Sequence, residues 1–329
     1  MVQSKILVIG AGGVGSIYGW RLQIGGAHVS MVCRSNFRTI KDVGFHISSK
    51  KYGDGSFLPD MVYSSAKDAF EDDQKYDYIL VCTKSLPNIM NPADVLKGCK
   101  FAEGTVIVLV QNGIGIETYF HDAFPQNRIL SAVAYIDTKQ SKDGLIEHGE
   151  RNDLSFGLYM PNKLEFYTDQ NRKMCNDLVD CFIAGGAGAK VSENIQRERW
   201  FKVIWNSSFN PISVLAGGSN STELLNMDGM ENMIKDTMLE TISIGEAVVK
   251  MPLSNFSNEE IFGMLIYPLR GRVPPVYPSM LVDFENKRPM EHEVILKNVI
   301  NYADELGVKT PNLKVIYQLI LAVESKYLK

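Results

Sequence analysis

The chain has no apolar run approaching the ~20 residues that a membrane-spanning helix needs, so no contact with a membrane is expected. Cysteine is scarce. The five present (Cys33, Cys82, Cys99, Cys175, Cys181) are odd in number and fall in no metal-ligand spacing. That excludes a disulfide scaffold and a thiolate metal cluster, and points to reduced thiols in a cytoplasmic protein. An excess of positive charge is missing too. The 34 Lys and Arg against 38 Asp and Glu leave a net charge of −4, with no electrostatic basis for binding nucleic acid. Internal repeats and low-complexity tracts are absent. The opening Met1-Val2-Gln3-Ser4-Lys5 runs directly into an apolar segment, so no signal or transit peptide is expected.

What is present is an ordinary globular composition, 45% hydrophobic and 22% charged over 329 residues, enough for two cores. The first part alternates strand and helix patterns. Lys5–Ile9 is an apolar run ending in glycines, Val14–Ile24 reads as a helix, and His28–Cys33 reads as a second strand. Tyr76–Cys82 and Thr105–Val110 are continuous apolar runs, as expected of parallel strands buried on both faces. Ile129–Tyr135 is a further strand, and Gly144–Leu158 alternates in the manner of antiparallel strands finishing the sheet. The order implies a doubly wound α/β domain. From Ile195 the apolar spacing becomes helical, with amphipathic helices expected over Met230–Val249, Glu291–Leu306 and Leu313–Tyr327. Three prolines within Pro274–Pro278 rule out regular helix across Arg270–Ser279. The expected division is a sheet domain over 1–192 and a helical domain over 193–329.

Gly10-Ala11-Gly12-Gly13-Val14-Gly15 is a GxGxxG motif placed between a strand and a helix, the context that gives it meaning. Gly10 permits the tight turn, Gly12 lets backbone approach a pyrophosphate, and Gly15 lets the helix pack on the strand, with Gly13 between them. The helix N-terminus offers unpaired N–H groups to phosphates. The domain is therefore expected to be a Rossmann-type dinucleotide site; the alternative is a glycine-rich turn with no ligand. An NAD-specific site would carry an acid ~20 residues beyond the motif. That register here reads Cys33-Arg34-Ser35, so Arg34, assisted by Arg38, is expected to meet a 2′-phosphate, favouring NADP as NADPH. A solvated surface arginine is the bland alternative.

Lys84 follows one buried strand and Asn112, within Gln111-Asn112-Gly113, follows the next. Ligands of open α/β sheets lie beyond such strand ends; an ordinary turn residue is the alternative for each. Lys202, Asn206 and Asn210 recur every four residues and so share one helix face, drifting ~40° per step. Their neighbours Trp200, Phe201 and Trp205 suggest that the face is partly enclosed. Pro211 is expected to kink or end this helix. The competing reading is a solvated stripe with a Glu198–Lys202 ion pair.

Taken together these segments resemble the ketopantoate reductase family (2-dehydropantoate 2-reductase). The likeness extends through Asn220, Ser279-Met280-Leu281 and Glu291, and so spans nearly the whole chain. The resemblance implies NADPH-dependent reduction of 2-dehydropantoate to pantoate, a step of pantothenate biosynthesis. It makes Lys202 the general acid and Glu291 its companion. Asn206, Asn210, Asn220 and Ser279 would contact substrate, and Lys84 and Asn112 would line the cofactor and keto-acid site. The partner is a small 2-keto acid, no metal is required, and the protein is expected to be a monomer or homodimer. The chemistry is consistent: hydride reaching a keto carbon creates an alkoxide, and a lysine ammonium supplies both charge and proton.

The segment before Ser279, Pro274-Pro275-Val276-Tyr277-Pro278, departs from the small polar residues usual in the family. Tyr277 would either limit the substrate side chain or pack as a structural residue, and Lys50–Phe57 is a polar loop that the resemblance leaves unplaced. A reductase of another 2-keto acid such as 2-ketoisovalerate, or a non-catalytic NADP-binding sensor, are the competing functions. Intact Lys202 and Glu291 argue against a sensor.

Overall fold

A computed structural model describes residues 3–71, 74–161 and 168–328. It resolves into two compact units. The first comprises Met1–Lys84, Asn91–Gln111 and Ile116–Ile195; the second comprises Ser85–Met90, Asn112–Gly115 and Gln196–Lys329. Two short pieces of the sheet half of the sequence thus belong to the helical unit, which no feature of the sequence pattern announces.

The first unit is built on a sheet of ten strands. In chain order they are β1 Lys5–Ile9, β2 His28–Val32, β3 Phe45–Ser49, β4 Gly55–Phe57, β5 Met61–Tyr63, β6 Tyr78–Val81, β7 Val106–Leu109, β8 Ile129–Lys142, β9 Leu145–Leu158 and β10 Gly188–Val191. Their spatial order is β4-β3-β9-β8-β7-β6-β1-β2-β5, with β10 beside β9. From β5 to β8 every pairing is parallel. β6 and β7 are buried at every position, as their unbroken apolar sequences require. The chain reverses direction across the sheet at β1, which lies between β2 and β6. The ends of β1 and β6 therefore frame the switch point, where open α/β sheets bind ligands.

The remaining strands correct the sequence reading. The strand expected over Ile129–Tyr135 runs on to Lys142, and the antiparallel segment expected over Gly144–Leu158 is one strand, β9, that starts at Leu145 and pairs with it. β8 loses its continuous apolar character after Ile136 because it is no longer covered on both faces there. The Lys50–Phe57 loop ends in β4, which pairs with β3. Within it Tyr52 is anchored on several sides. Its ring stacks on His148 at 5.4 Å, the Arg21 guanidinium lies 4.3 Å from it, and its hydroxyl donates to the Gly186 carbonyl at 3.1 Å. The loop is thus structural.

Helices α1 Gly13–Ile24, α2 Phe37–Val43, α3 Ile116–Ala123 and α4 Asp169–Ala184 accompany the sheet. The second unit then adds α5 Ile195–Leu215, α6 Ser221–Leu225, α7 Met230–Val249, α8 Asn258–Leu265, α9 Ser279–Glu285, α10 Asn298–Leu306 and α11 Pro311–Glu324. Residues Glu293–Lys297 form a π-helical turn leading into α10, so the helix expected from Glu291 begins later and with a wider turn. The core of this unit gathers Trp200, Phe209, Met238, Ile242, Ile295 and Ile320. Pro211 does not end α5, which continues to Leu215. Phe209, Ile212 and Val214 are buried on that stretch, and their burial outweighs the backbone hydrogen bond a proline removes.

Candidate active site

In the first unit, α1 starts directly beyond the glycine turn with Gly12 as its N-cap and no side chain capping it. A Cβ at Gly15 would sit 1.9 Å from the Gly10 carbonyl oxygen, so helix and turn approach as closely as only glycine allows. A Cβ at Gly12 would meet nothing within 4 Å, and one at Gly13 would press on the Thr138 side chain at 2.9 Å. The turn thus presents bare backbone and an open approach above it, which is what a pyrophosphate requires. Asn36, buried just past β2, donates from Nδ2 to the Ala11 carbonyl at 3.1 Å and ties the second-strand loop to the glycine turn. Arg34 and Arg38 are exposed, and Lys84 is exposed at the end of its β6 segment. These residues fit a dinucleotide. Burial pushes the Cys33 and Cys82 thiols up to about 12 and those of Cys99 and Cys175 up to about 11, and it raises the Cys181 thiol too. Among the described residues no cluster of His, Cys, Asp and Glu could hold a metal.

In the second unit the polar centre lies on α5. Lys202, half-buried, donates from Nζ to Oδ1 of Asn112 at 2.7 Å. Asn206 and Asn210 follow at successive turns, both buried. Oδ1 of Asn210 accepts the Ser279 hydroxyl at 3.3 Å and the Met280 backbone N–H at 3.1 Å. Those donors fix the orientation of the amide, and Nδ2 of Asn210 is buried with no hydrogen-bond partner. An orphan donor of this kind costs about 1–3 kcal/mol and is suited to an acceptor brought by a ligand.

Asn112 is held in place by the helices. Arg199, buried, donates to the Gly113 carbonyl at 2.9 Å, Ile114 N–H donates to the Val294 carbonyl at 2.8 Å, and Asn298 donates to the Ile114 carbonyl at 2.7 Å. Gly113 has φ +96° and a Cβ there would lie 2.5 Å from the Val294 side chain, so the crossing requires glycine. Glu291, 7% exposed, accepts the Ser85 backbone N–H on Oε1 at 3.0 Å. These bonds are why Ser85–Met90 and Asn112–Gly115 group with the helices.

Asn220 stands at the start of α6. Its Oδ1 accepts the N–H groups of Thr222 and Glu223, forming a capping box at the start of α6. Ser221 beside it exchanges hydrogen bonds with Val276, which together with the Ser279–Asn210 contact pins the segment carrying Tyr277. Tyr277 itself is 54% exposed and is not a core packing residue.

Ser85, Arg199, His292 and Glu324 have no counterpart in the sequence reading. Ser85 acts through its backbone, and a buried arginine or histidine looks like a surface one until its partners are known. His292 is fully buried, with Nε2 2.8 Å from Oε2 of Glu324 and Nδ1 3.3 Å from Oε1 of Glu293. The second contact is an attraction without hydrogen-bond alignment. Burial alone would lower the imidazole pKa, but the two carboxylates outweigh it and hold it at about 9. The unfolded value is ~6.5, so the pair's stabilisation is complete below pH ~6.5 and is lost as pH rises through the folded value. Between pH ~6.5 and pH ~9.5 the unfolding free energy by urea should fall by about 3 kcal/mol more in wild type than in His292→Gln, the buried thiols contributing the same decline to both at the alkaline end. A flat wild-type profile across that window would contradict this assignment.

A glycine-turn α/β unit, and a helical unit with Lys202, Asn206 and Asn210 on one helix face, are what a dinucleotide-dependent oxidoreductase needs. The family model "Ketopantoate reductase PanE/ApbA" matches residues 6–161, and "Ketopantoate reductase PanE/ApbA C terminal" matches 194–324. The chain belongs to the ketopantoate reductase family, a family of NAD(P)-dependent oxidoreductases. It is similar to the crystal structure of 2-dehydropantoate 2-reductase from Methylococcus capsulatus, at 34% identity and TM-score 0.84, covering 99% of this chain and 98% of that one. The 2-dehydropantoate 2-reductase of Nostoc is 26% identical across 99% of this chain and 97% of its own. A ternary structure of D-mandelate dehydrogenase with NADH and anilino(oxo)acetate shares the fold, at 21% identity and TM-score 0.82 over 98% of this chain and 99% of that one. No helix among the described residues is long and apolar enough to cross a membrane.

Proposed function

We propose that this protein reduces 2-dehydropantoate to pantoate with NADPH. The observation that carries the reading is the 2.7 Å contact of Lys202 with Asn112, on the helix face that also bears buried Asn206 and Asn210. Bound NADPH supplies a hydride to the 2-keto carbon. As that carbon accepts the electron pair, the carbonyl π bond breaks toward oxygen, and the Lys202 ammonium gives that oxygen a proton. The lysine is left neutral and regains a proton from solvent. An ammonium has three donors; Asn112 takes one and so fixes where the others point. Asn210 Nδ2, Asn206 and Ser279 offer donors for the substrate carboxylate and hydroxyl, and Glu291 sets the polarity around the lysine. Asn220 would act on substrate indirectly, by capping the helix next to the Val276–Ser279 segment.

The test is a panel of 2-keto acids with purified protein, following NADPH absorbance. The highest kcat/KM is expected for 2-dehydropantoate. A preference for 2-ketoisovalerate or an aromatic 2-keto acid would replace the substrate and keep the chemistry. NADPH binding with no turnover on any of them would leave a cofactor sensor.

Selection of NADPH rests on Arg34, exposed beyond β2 with no acid beside it. Arg34→Ala should weaken NADPH binding about tenfold or more, the worth of a charge-assisted phosphate bond, and leave NADH binding nearly unchanged. Equal wild-type affinity for NADH and NADPH by titration would remove the 2′-phosphate contact.

A further inference from the structure

Glu291 is restrained on both sides along the chain, and both restraints come from one carboxylate. Oε1 of Glu324 accepts the Met290 backbone N–H at 2.7 Å, and Oε2 meets Nε2 of His292 at 2.8 Å. Glu324, at the end of α11, thus grips the peptide before Glu291 and the side chain after it. Both members of the pair are buried, His292 at 0% and Glu324 at 7% exposure. The groups around the imidazole are few. From α11 come Glu324 and the ring of Tyr317, 5.9 Å away, and Glu293 lies on its own segment; Tyr327 acts on Glu324, and Lys297 lies over the Tyr317 ring. Tyr317 adds a second link, donating to Oε1 of Glu293 at 2.6 Å. An ion pair this deep is an inefficient source of stability compared with apolar residues of equal volume. Here it specifies a geometry: the backbone at 290–292 has one position, and from it Glu291 reaches Ser85 N–H at 3.0 Å.

We propose that His292 and Glu324 form a positioning clamp for Glu291, acting on the reaction only through the placement of its carboxylate. The proposal rests on the reductase reading above, in which Glu291 serves the site of Lys202. Neither clamp residue touches substrate. Their effect is that Glu291 stays aligned during turnover instead of swinging with a loose turn.

The test uses the full-length protein as His292→Leu, His292→Gln, Glu291→Gln and the His292→Leu/Glu291→Gln double variant, assayed well below each melting transition. His292→Leu should lower kcat by about ten- to a hundredfold, the scale of a displacement on the order of 1 Å at a reacting site. His292→Gln should recover most of that loss, because its amide can still donate to Glu324. In the Glu291→Gln background the His292→Leu effect should disappear, since residues acting through one group are not additive. Losses that multiply in the double variant, or normal kcat in folded His292→Leu, overturn the clamp. The backbone amide of Ser85 gives a readout separate from turnover. Its hydrogen-exchange protection should fall in His292→Leu and persist in Glu291→Gln, whose amide oxygen still accepts that N–H; retained protection in His292→Leu overturns the proposal. Lost protection in a protein whose wild type reduces no 2-keto acid supports the clamp and refutes the reductase reading instead. Should His292→Leu fail to fold, His292→Asn, polar but too short to span to Glu324, carries the same comparison with the same deciding outcomes.

Discussion

Lys202→Ala should lower turnover by about 10²–10⁴-fold, the usual contribution of general-acid catalysis, while NADPH affinity stays within a small factor of wild type. The asymmetry follows from where the lysine sits. Nζ is engaged with Asn112 in the helical unit, whereas the glycine turn, Asn36 and Arg34 belong to the first unit. On the proposed mechanism, removing the ammonium deletes the proton donor and a positive charge for the developing alkoxide. It also leaves Asn112 Oδ1 without this donor, so part of the loss comes from a less ordered Asn112–Gly115 segment. Asn112→Ala separates the contributions: it keeps the acid but frees its direction, and should cost less than Lys202→Ala. Stopped-flow measurement of a single turnover with saturating NADPH reads the chemical step directly. Near-normal rates in Lys202→Ala would move the proton donor elsewhere, and the assignment of the α5 face with it.

The second large effect is expected at the glycine turn, where substitutions one turn apart should fail for different reasons. Gly15→Ala places a methyl 1.9 Å from the Gly10 carbonyl oxygen, so helix and turn must separate. Overpacking of this severity costs about 3 kcal/mol or more, enough to lower the melting temperature by roughly 6–12 °C in a unit of this size. The same displacement moves the amides of the first turn of α1 away from the phosphates, so NADPH affinity should drop by about a hundredfold. Gly12→Ala meets no atom within 4 Å in the unliganded fold, so its melting temperature should stay at the wild-type value. Its methyl would instead occupy the approach that a pyrophosphate uses, and NADPH binding should still fall. Calorimetric titration and thermal unfolding on the same preparations separate the two. An unaltered NADPH affinity in Gly12→Ala would mean that the open space above the turn is not where the phosphates go.

These contrasts mark which parts of the protein are local in origin. The strand–glycine turn–helix, the buried runs of β6 and β7 and the placement of Lys202, Asn206 and Asn210 on one helix face follow from neighbours in sequence. Periodicity and the special freedom of glycine act within a few residues, so they can be read directly from the chain. The identity of the family was legible for the same reason, since its markers are short motifs at fixed spacing. The far half of β8 was not, because its pairing with β9 is supplied across the sheet and its own apolar pattern stops at Ile136. Nor was the passage of α5 through Pro211, which burial of Phe209, Ile212 and Val214 sustains.

The site shows the same division at the level of single residues. The proposal of Lys202 and Glu291 as the acid and its companion came from the sequence and its family resemblance. That Lys202 grips Asn112, that Glu291 grips the Ser85 amide, and that Arg199 and Asn298 fasten the Asn112–Gly115 segment was decided only by the fold. His292 and Glu324, 32 positions apart, show no periodic relation in the sequence and meet only because α11 packs against the π-helical turn. Sequence alone determined the parts whose physics is local: the glycine turn, the buried sheet strands and the polar face of α5. Tertiary structure decided the partner of every buried polar group, because a hydrogen bond or ion pair in the interior depends on distance in space and on exclusion of water, and neither is written in the order of the residues.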